Sequence, residues 1–278
     1  MMQFTDSHCH LDDQAFAEQL PQLLAQCDEL AIKRIIIPAI SPNNFDNVLN
    51  LVEQYHNKPI KLYPCLGIHP WFLDELNDSH LTQLANKVSQ VKESIIAIGE
   101  IGIDGANIKR SENPEAELKK QQHFFDVQLS LAKQQHLPVI IHHRQSHDKI
   151  MPFLRKYQLP QAGIIHGFSG SYQQAIDYIN LGFKLGVGST ISFSRAKKTI
   201  NAIKRLPIDS LVLETDAPSM PLSKEVLTNK TKDYLKSNTV NSPTALVTVF
   251  ELLSKIRSEN AIDIATQLEL NIEQVFFQ

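Results

Sequence analysis

The chain begins with three polar side chains at alternate positions, each able to bind a metal ion: Asp6, His8 and His10. Alternate residues of a β-strand share one face, so these three donors would point the same way, while Cys9 would face the opposite side as a packed thiol. A carboxylate and two imidazoles on one face indicate a metal site. A solvated histidine pair on an edge strand explains the same spacing, so this stretch alone leaves both interpretations open.

Other imidazoles and carboxylates also follow short apolar runs. Glu100 lies in SIIAIGE, His142 follows PVII, His166 follows AGII and Asp216 ends LVLETD. The carboxyl ends of parallel strands converge on one face of a barrel, where we expect these groups to meet the first two histidines. Four imidazoles and two carboxylates are too many for one tetrahedral zinc ion but suit two divalent ions that share a carboxylate. Without a thiolate, the set predicts a hydrolytic site, and imidazole-rich ligation favours zinc, manganese or cobalt over magnesium.

These side chains need a scaffold, and the sequence alternates β-like and helical segments. The β-like runs, rich in Ile, Val and Leu, are 4–10, 34–40, 60–70, 94–104, 138–143, 162–169, 183–190 and 211–218. Helical patterns occupy 14–30, 43–56, 79–92, 114–135, 147–157, 171–181, 195–205 and 243–257, with two short pieces after them. This alternation predicts a (β/α)₈ TIM barrel, which with the donor set above would be of the metal-dependent hydrolase type. A doubly wound sheet is the alternative, but no GxGxxG follows the first strand.

Composition restricts the class of protein. The 278 residues are 42% hydrophobic and 21% charged and contain no low-complexity linker, which predicts a single domain over residues 1–278. Three cysteines without a CxxC pair indicate a reducing compartment. Neither a signal peptide nor a membrane span is evident in the sequence. We therefore expect a cytoplasmic protein that has no membrane partner and no obligate protein partner. With a net charge of −3, a nucleic-acid partner would need a local basic surface.

Two basic segments lie on predicted connections at the site end of the barrel. Arg195, Lys197 and Lys198 follow the seventh β-like run, and four lysines occupy the long connection 219–242: Lys224, Lys230, Lys232 and Lys236. Long connections in compact domains are often functional, so these cations are candidate phosphate contacts. Solvated helix faces and loops carry similar charges, which leaves the second interpretation open.

Seven ordered motifs together resemble the TatD family of metal-dependent deoxyribonucleases, within the amidohydrolase superfamily. They are DSHCHLD, GIHPW, GEIGID, LPVIIHHR, IIHGFSG, LGVGSTIS and LETDAP, and they extend from Phe4 to about Pro221. The resemblance implies the same barrel and a hydrolase that cleaves phosphodiester bonds of DNA with water activated by two metal ions. It further suggests exonucleolytic action on single-stranded ends, with DNA or another phosphodiester as the substrate.

The resemblance also implies roles for individual residues. His8, His10 and Asp216 would bind the first ion, Glu100 would bridge both ions, and the second would be held by His142 and His166. Asp216 would in addition orient or deprotonate the attacking water, so it and Glu100 are the predicted catalytic residues. The implied cofactor is two divalent ions per chain, which are Zn, Mn, Co or Mg.

Further residues are candidates for weaker roles. His69, Arg144 and Arg195 are predicted to contact substrate, and Asp6, Asp104 and Glu214 to support metal ligands. His69 has an ordinary explanation as a buried hydrogen-bonding histidine, and Arg144 as a salt bridge to a neighbouring helix. His143 should point away from its neighbour His142 by strand alternation. Many family members carry an arginine in the connection before Asn-x-Pro, and this chain has none between Asp216 and Asn241.

Two other functions fit parts of the sequence. An amidohydrolase acting on a small ester, amide or phosphoester would use the same fold, although many such enzymes bridge their metals with a carboxylated lysine where this chain offers Glu100. A degenerate barrel that serves as an interaction subunit is the third possibility. All six predicted ligand positions are filled, which argues against degeneration.

Overall fold

The computed structural model describes residues 2–227 and 240–277, and its architecture is an alternation of strands and helices. The strands are β1 (Phe4–Asp6), β2 (Ile32–Pro38), β3 (Lys61–Leu66), β4 (Ala97–Asp104), β5 (Val139–Arg144), β6 (Gly163–His166), β7 (Lys184–Val187) and β8 (Leu211–Leu213). The α-helices in the described ranges are α1 (Leu20–Glu29), α2 (Phe45–Tyr55), α3 (Asp78–Val91), α4 (Gly105–Arg110), α5 (Pro114–Gln135), α6 (His147–Tyr157), α7 (Tyr172–Ile179), α8 (Lys197–Arg205), α9 (Leu246–Ile256) and α10 (Ala261–Phe276).

The sheet is parallel throughout, and its strands are neighbours in chain order from β1 to β8. Hydrogen bonds just beyond β1 and β8 bring the two edges together: Ser7 N donates to Leu213 O at 2.9 Å, and His10 N donates to Ala217 O at 2.8 Å. The predicted (β/α)₈ TIM barrel is therefore confirmed.

Local sequence explains how individual elements form. In β2, Ile35 and Ile37 belong to the large core shared with the helices, whereas Ile36 packs with residues of neighbouring strands in a separate cluster inside the barrel. This two-residue period is what a strand buried on both faces requires. The longest helix, α5, begins where the Asn113 side chain accepts from a backbone N–H and ends at His136, whose φ of 56° is left-handed.

The first and last strands are shorter than the sequence predicted. The expected strands 4–10 and 211–218 end at Asp6 and Leu213, because the chain beyond them turns to make the hydrogen bonds that close the barrel. The histidines after β1 and the carboxylate after β8 therefore lie just beyond the regular strands, beside the isolated parallel bridge between Cys9 and Ala217. The alternation expected for His8, Cys9 and His10 still holds there: the two histidine Nε2 atoms are 3.2 Å apart, and Cys9 between them is fully buried.

The C-terminal region also differs from the prediction of two short helical pieces. One helix, α10, runs from Ala261 to Phe276 and packs Ile272 and Val275 against Ile164 and Val212 of the barrel. This tertiary burial stabilises a continuous helix that the local pattern did not indicate. The short helix α4 was likewise not predicted. None of the helices in the described residues is long and apolar enough to cross a membrane.

The connection 219–242 is described only in part. Lys224 lies in a 3₁₀ turn, Lys224–Val226. The predicted phosphate contacts Lys230, Lys232 and Lys236 lie outside the described residues. At the far end of the connection, the buried Asn241 side chain donates to Thr215 O at 2.8 Å and to Met220 O at 3.0 Å. These two bonds hold the chain that follows β8.

Asn271 offers a test of how α10 is attached to the barrel. Its fully buried amide donates to Ile208 O at 2.8 Å and Leu211 O at 2.7 Å, just before and at the start of β8. Asn271→Ala would leave both carbonyl groups without this donor and should lower the free energy of unfolding by about 1–3 kcal/mol, measured from urea unfolding.

The matched control is Asn47→Ala, an exposed position on α2, where we expect a change within about 0.5 kcal/mol. Equal unfolding midpoints for the two variants would show that the Asn271 bonds contribute nothing to stability.

Candidate metal centre

A cleft of about 510 Å³ opens at the carboxyl ends of the strands. Its lining includes five of the six predicted ligands: His10, Glu100, His142, His166 and Asp216. The sixth, His8, is fully buried beside them, with its ring stacked on that of His166 at 4.0 Å between centroids. The fold therefore brings all six predicted ligands together. Their roles as ligands stay a prediction, and their geometry indicates what they are able to bind.

Glu100 lies at the centre of this cluster, and its two carboxylate oxygens face different imidazoles. Oε2 is 3.2 Å from His8 Nε2 and 3.4 Å from His10 Nε2. Oε1 is 2.8 Å from His166 Nε2 and 3.0 Å from His142 Nδ1. The carboxylate thus divides the histidines into two groups, which is the arrangement that a bridge between two cations requires.

The position of Glu100 depends on an irregularity in β4. Pairing with β5 shifts register between Ile98 and Ile101, and the Glu100 backbone N–H instead donates to Ala39 O on the β2 side at 2.9 Å. Such irregularities redirect side chains next to active sites. Beyond the shift, Gly102 of β4 pairs with His142 of β5, so the pairing of the two strands is regular again at this candidate ligand.

The first group of donors consists of His8, His10 and Asp216. The two Nε2 atoms are 3.2 Å apart, and Asp216 Oδ1 is 3.3 Å and 3.5 Å from them. Ligands held about 2.0–2.1 Å from a tetrahedral ion are separated by roughly 3.3–3.4 Å. These three atoms therefore fit one small divalent cation, with one Glu100 oxygen within reach as a further ligand.

The second group surrounds the other oxygen of Glu100. His142 Nδ1 and His166 Nε2 are 3.2 Å apart, a separation that also suits a shared ion. The strand register places these residues directly opposite each other on β5 and β6. Both ends of the Glu100 carboxylate thus face a pair of ring nitrogens, so the fit extends to two cations.

Hydrogen bonds to the remote ring nitrogens orient two of these histidines. His10 Nδ1 lies 3.2 Å from Pro38 O, and His142 Nε2 lies 3.0 Å from Asp104 Oδ2. Because an oxygen accepts only from a protonated nitrogen, these contacts select the neutral-ring tautomers in which His10 Nε2 and His142 Nδ1 carry the lone pairs that a metal needs.

Carboxylates also set the pKa values of the site. Burial alone would lower the pKa of His142, but its hydrogen bonds to Asp104 and Glu100 raise it to about 9. Burial alone would raise the pKa of Asp216, yet hydrogen bonds from His10 and His8 hold it below the usual range of a carboxyl group. Asp216 is therefore ionised at neutral pH, as a ligand or a proton acceptor must be.

His69 lies closer to the cluster than the sequence suggested. Its Nε2 is 3.3 Å from Glu100 Oε1, so it too is able to join a metal-binding group with His142. However, His69 Nδ1 accepts from the Trp71 backbone N–H at 3.1 Å, and burial lowers the pKa of the ring to about 4. A neutral ring whose Nδ1 accepts must carry its proton on Nε2. His69 therefore directs an N–H towards Glu100 from the wall of the cleft, which suits a hydrogen-bonding role such as the predicted substrate contact better than metal ligation.

Asp6 supports the turns that carry the first donor group. Its carboxylate accepts from Thr215 N at 2.9 Å, from Thr215 Oγ1 at 2.6 Å and from His8 N at 3.3 Å. The next residue, Asp216, has a φ of 56°, a left-handed conformation that aspartate tolerates better than most residues. Burial raises the pKa of Asp6 to about 7 despite the Thr215 bonds.

Glu214 is packed against the second donor group. Its carboxylate accepts from the Gly167 backbone N–H, and Oε1 is 3.9 Å from His166 Nδ1. A Cβ atom on Gly186 would come within 2.0 Å of Glu214 Oε2, so only glycine leaves room for this side chain. Burial raises the pKa of Glu214 to about 8. Glu214 thus lies beside His166, one of the candidate ligands of the second group.

The predicted cationic contacts divide into two cases. Arg144 lines the cleft, with Nη1 3.8 Å from Asp104 Oδ2. Arg195 is exposed, and its guanidinium lies 5.1 Å from the centre of the Phe193 ring. Arg195 is not among the described residues that line the cleft. His143, on the opposite face of β5 from His142, stacks on Phe168 at 6.3 Å between ring centroids.

One contact in the cleft was missed by the sequence reasoning. The Trp71 indole Nε1 donates to Asp104 Oδ2 at 2.7 Å, the same oxygen that His142 approaches. The available signal was positional, because Trp71 follows His69 by two residues at the end of the third apolar run. Ser169, Thr190 and Met220 also line the cleft, and their residue types gave no indication of it.

Residues 5–277 match the family model described as TatD related DNase. The chain belongs to the TatD family. The uncharacterized metal-dependent hydrolase YjjV of Escherichia coli K12 is 39% identical over 273 residues, which cover 98% of this chain and 97% of YjjV. The crystal structure of that TatD homologue superposes with a TM-score of 0.87 over the same shares of the two chains. The human deoxyribonuclease TATDN3 is 26% identical over 227 residues, 80% of each chain.

The structure of a TatD-family hydrolase from Entamoeba histolytica superposes with a TM-score of 0.86 over 99% of this chain and 98% of that one. At 22% sequence identity, this similarity shows that the two proteins share a fold. Together with the family match, the metal-dependent relatives identify the present chain as a metal-dependent hydrolase of the TatD family. The number and identity of its metal ions belong to the proposal below.

Asp104→Asn tests whether the Asp104–His142 hydrogen bond supports metal binding. Asparagine keeps the side-chain oxygen that accepts from Asn107 N at the start of α4, but removes the negative charge beside His142. Loss of such a partner should weaken binding of a divalent ion by roughly 10–100-fold, measured by competition with a chelator.

Asp209→Asn is the control, since Asp209 is exposed and precedes β8 at the opposite end of the barrel. If Asp104→Asn binds the ion as tightly as this control, the carboxylate does not orient His142 for a metal.

Proposed function

We propose that this protein is a deoxyribonuclease that hydrolyses phosphodiester bonds of DNA with two divalent ions, acting on single-stranded ends. The observation that carries the proposal is the division of donors around Glu100, with His8 and His10 at one oxygen and His142 and His166 at the other. Two-metal centres of this kind are used for phosphodiester hydrolysis.

The chemistry of the donors favours particular ions. Imidazole nitrogens predominate and the separations near 3.2–3.5 Å suit bonds of about 2.0–2.1 Å, which favours zinc, manganese or cobalt over magnesium. Ions bound in the two groups would lower the pKa of water and stabilise negative charge on the phosphate oxygens. Every other contribution comes from the side chains of this chain.

Asp216 is the proposed proton acceptor. Its carboxylate is ionised and lines the cleft, and its Oδ1 lies 3.3 and 3.5 Å from Nε2 of His8 and His10, so it is held where it would receive a proton from the attacking water. Glu100 contacts both donor groups, one with each carboxylate oxygen, and would hold them at a fixed separation. Elsewhere in the lining of the cleft, His69 Nε2–H would donate to a phosphate oxygen, and the Arg144 guanidinium would pair with the phosphate charge.

Support for DNA as the substrate comes from the relatives. The matched family is described as TatD related DNase, and the human relative is named a deoxyribonuclease. A cleft of about 510 Å³ suits one nucleotide of an open strand better than a duplex, because ligand pockets of this size enclose small molecules. This supports action on unpaired ends.

A small-molecule ester, amide or phosphoester is the second candidate substrate. The observation that favours it is the low positive charge of the cleft: Arg144 is the sole lysine or arginine among the described residues that line it. Nucleic-acid affinity depends strongly on the number of phosphate contacts, so a cleft with one cation also fits a substrate with one phosphate group.

We also infer one catalytic domain over residues 1–278 and a cytoplasmic location. Regular alternation of strands and helices supports the first inference, and three buried, free cysteines, Cys9, Cys27 and Cys65, support the second.

Metal removal separates the candidate activities. Protein stripped with a chelator should lose hydrolysis, and zinc, manganese, cobalt or magnesium should restore it to different extents. Oligonucleotides labelled at the 5′ or 3′ end, together with phosphomonoesters, report which bond is cleaved and from which end. Restored protein that leaves oligonucleotides intact while hydrolysing another ester or amide would overturn the nuclease and favour the second candidate.

Asp216→Asn tests the proposed proton acceptor. The amide nearly preserves shape but is unable to accept the proton, so kcat should fall by roughly 10²–10⁴-fold in single-turnover assays. Metal content, measured on the same preparation, separates loss of the ions from loss of the base. Asp209→Asn should retain the wild-type kcat, and an Asp216→Asn variant with full metal content and unchanged kcat would exclude the role.

A further inference from the structure

Two aromatic side chains stand exposed at the edge of the cleft. Trp71 is 48% exposed and Phe72 is 43% exposed, and both line the cleft from the 3₁₀ turn Pro70–Phe72 after β3. By contrast, Phe168, another aromatic near a strand end, is only 2% exposed. Aromatic rings normally gain stability by burial, so two open rings beside a candidate metal centre require an explanation beyond packing.

Trp71 is held firmly despite its exposure. Its indole N–H donates to Asp104 Oδ2 at 2.7 Å, and Asp104 is itself fully buried and in contact with His142. The Trp71 and His142 ring centroids are 5.9 Å apart. One carboxylate therefore fixes the indole relative to a candidate metal ligand, which is the precision that a substrate contact needs.

The surroundings of Trp71 suit a flat ligand with an attached phosphate. The Arg144 guanidinium carbon lies 5.9 Å from the Trp71 ring centre, and His69 packs against the indole at 5.3 Å between ring centroids. Phe72, the next residue after Trp71, adds a second exposed ring 5.8 Å from that of His69. An exposed aromatic surface thus adjoins one cation, Arg144, and the His69 ring, whose Nε2 lies 3.3 Å from Glu100.

We propose that Trp71, extended by Phe72, is a stacking platform for the nucleobase next to the phosphodiester that is cleaved. The inference rests on the proposed nuclease function and specifies its substrate as a nucleotide with an unstacked base. Every base has a π-face, so the platform explains how a cleft with few cations binds a nucleic-acid end without reading its sequence. A small phosphoester that lacks a ring would gain nothing from it.

The chain contains a single tryptophan, so its fluorescence reports on this position alone. Zinc-loaded protein would be titrated with thymidine 5′-monophosphate, with deoxyribose 5-phosphate and with inorganic phosphate, and the emission of Trp71 recorded. We expect the nucleotide to quench the emission and to bind about 5–150-fold more tightly than the sugar phosphate, the range that base–aromatic stacking supplies. Equal binding of the two, with unchanged emission, would overturn the platform.

Kinetics of three variants distinguish stacking from anchoring. Trp71→Phe keeps an aromatic ring but loses the hydrogen bond to Asp104, whereas Trp71→Leu loses both. For a single-stranded oligonucleotide, kcat/KM should fall at least about 5-fold in Trp71→Leu and less in Trp71→Phe. For an oligonucleotide that is abasic at the scissile position, the two variants should behave alike. Ile262→Ala, an exposed apolar position on α10, should match the wild type.

The possible failures are distinguishable. If the wild-type protein cleaves no oligonucleotide, the proposed function fails, and the fluorescence titration still decides whether the base stacks. If the wild type cleaves DNA while Trp71→Phe loses as much activity as Trp71→Leu, the indole acts by positioning Asp104 and the stacking platform is excluded. The same exclusion follows if both substrates lose activity equally in Trp71→Leu.

Discussion

Barrel closure joins β1 to β8 through hydrogen bonds that lie beyond the strands themselves. Asp216 N donates to His8 O at 2.8 Å, and His10 N donates to Ala217 O at 2.8 Å. The Asp6 carboxylate adds two bonds to Thr215, 209 positions later in the sequence. The turns that close the barrel are thus the turns that carry three of the candidate ligands. A change that opened this seam would separate the first donor group.

Electrostatics explain why the buried histidines differ in character. His69 and His142 are both buried, and their ring centroids are 4.4 Å apart, yet the pKa of one is lowered to about 4 and that of the other raised to about 9. His142 contacts two carboxylates, whereas His69 contacts Glu100 and receives a backbone N–H. A cation that binds His142 must displace its proton, so metal binding is coupled to proton release. His69 remains neutral, and its Nε2–H faces Glu100 Oε1 at 3.3 Å.

Asp104 connects the metal centre to the edge of the cleft. One of its oxygens contacts His142 and Trp71, and Arg144 approaches the same oxygen. The oxygen is therefore shared by a candidate metal ligand, a candidate stacking surface and a candidate phosphate contact. A buried carboxylate with several donors resists displacement, because any movement leaves a charged group without partners. The chemistry and the recognition of substrate thus depend on a common support.

The sequence by itself determined the class of fold and the composition of the site. Apolar runs with polar ends predicted a parallel barrel, and because such ends converge, they also predicted which six side chains would meet. Helices such as α5 and α6 agree with their predicted bounds, since caps and periodicity are local properties.

The tertiary structure decided how the side chains are used. Closure of the barrel placed His8 beside Asp216, and Glu100, at the register shift in β4, has its two oxygens facing different histidines. The donor role of His69 and the exposed, anchored position of Trp71 depend on contacts between separate parts of the chain. Residue types and spacing describe what each group is able to do, whereas hydrogen-bond partners and burial select one of those possibilities.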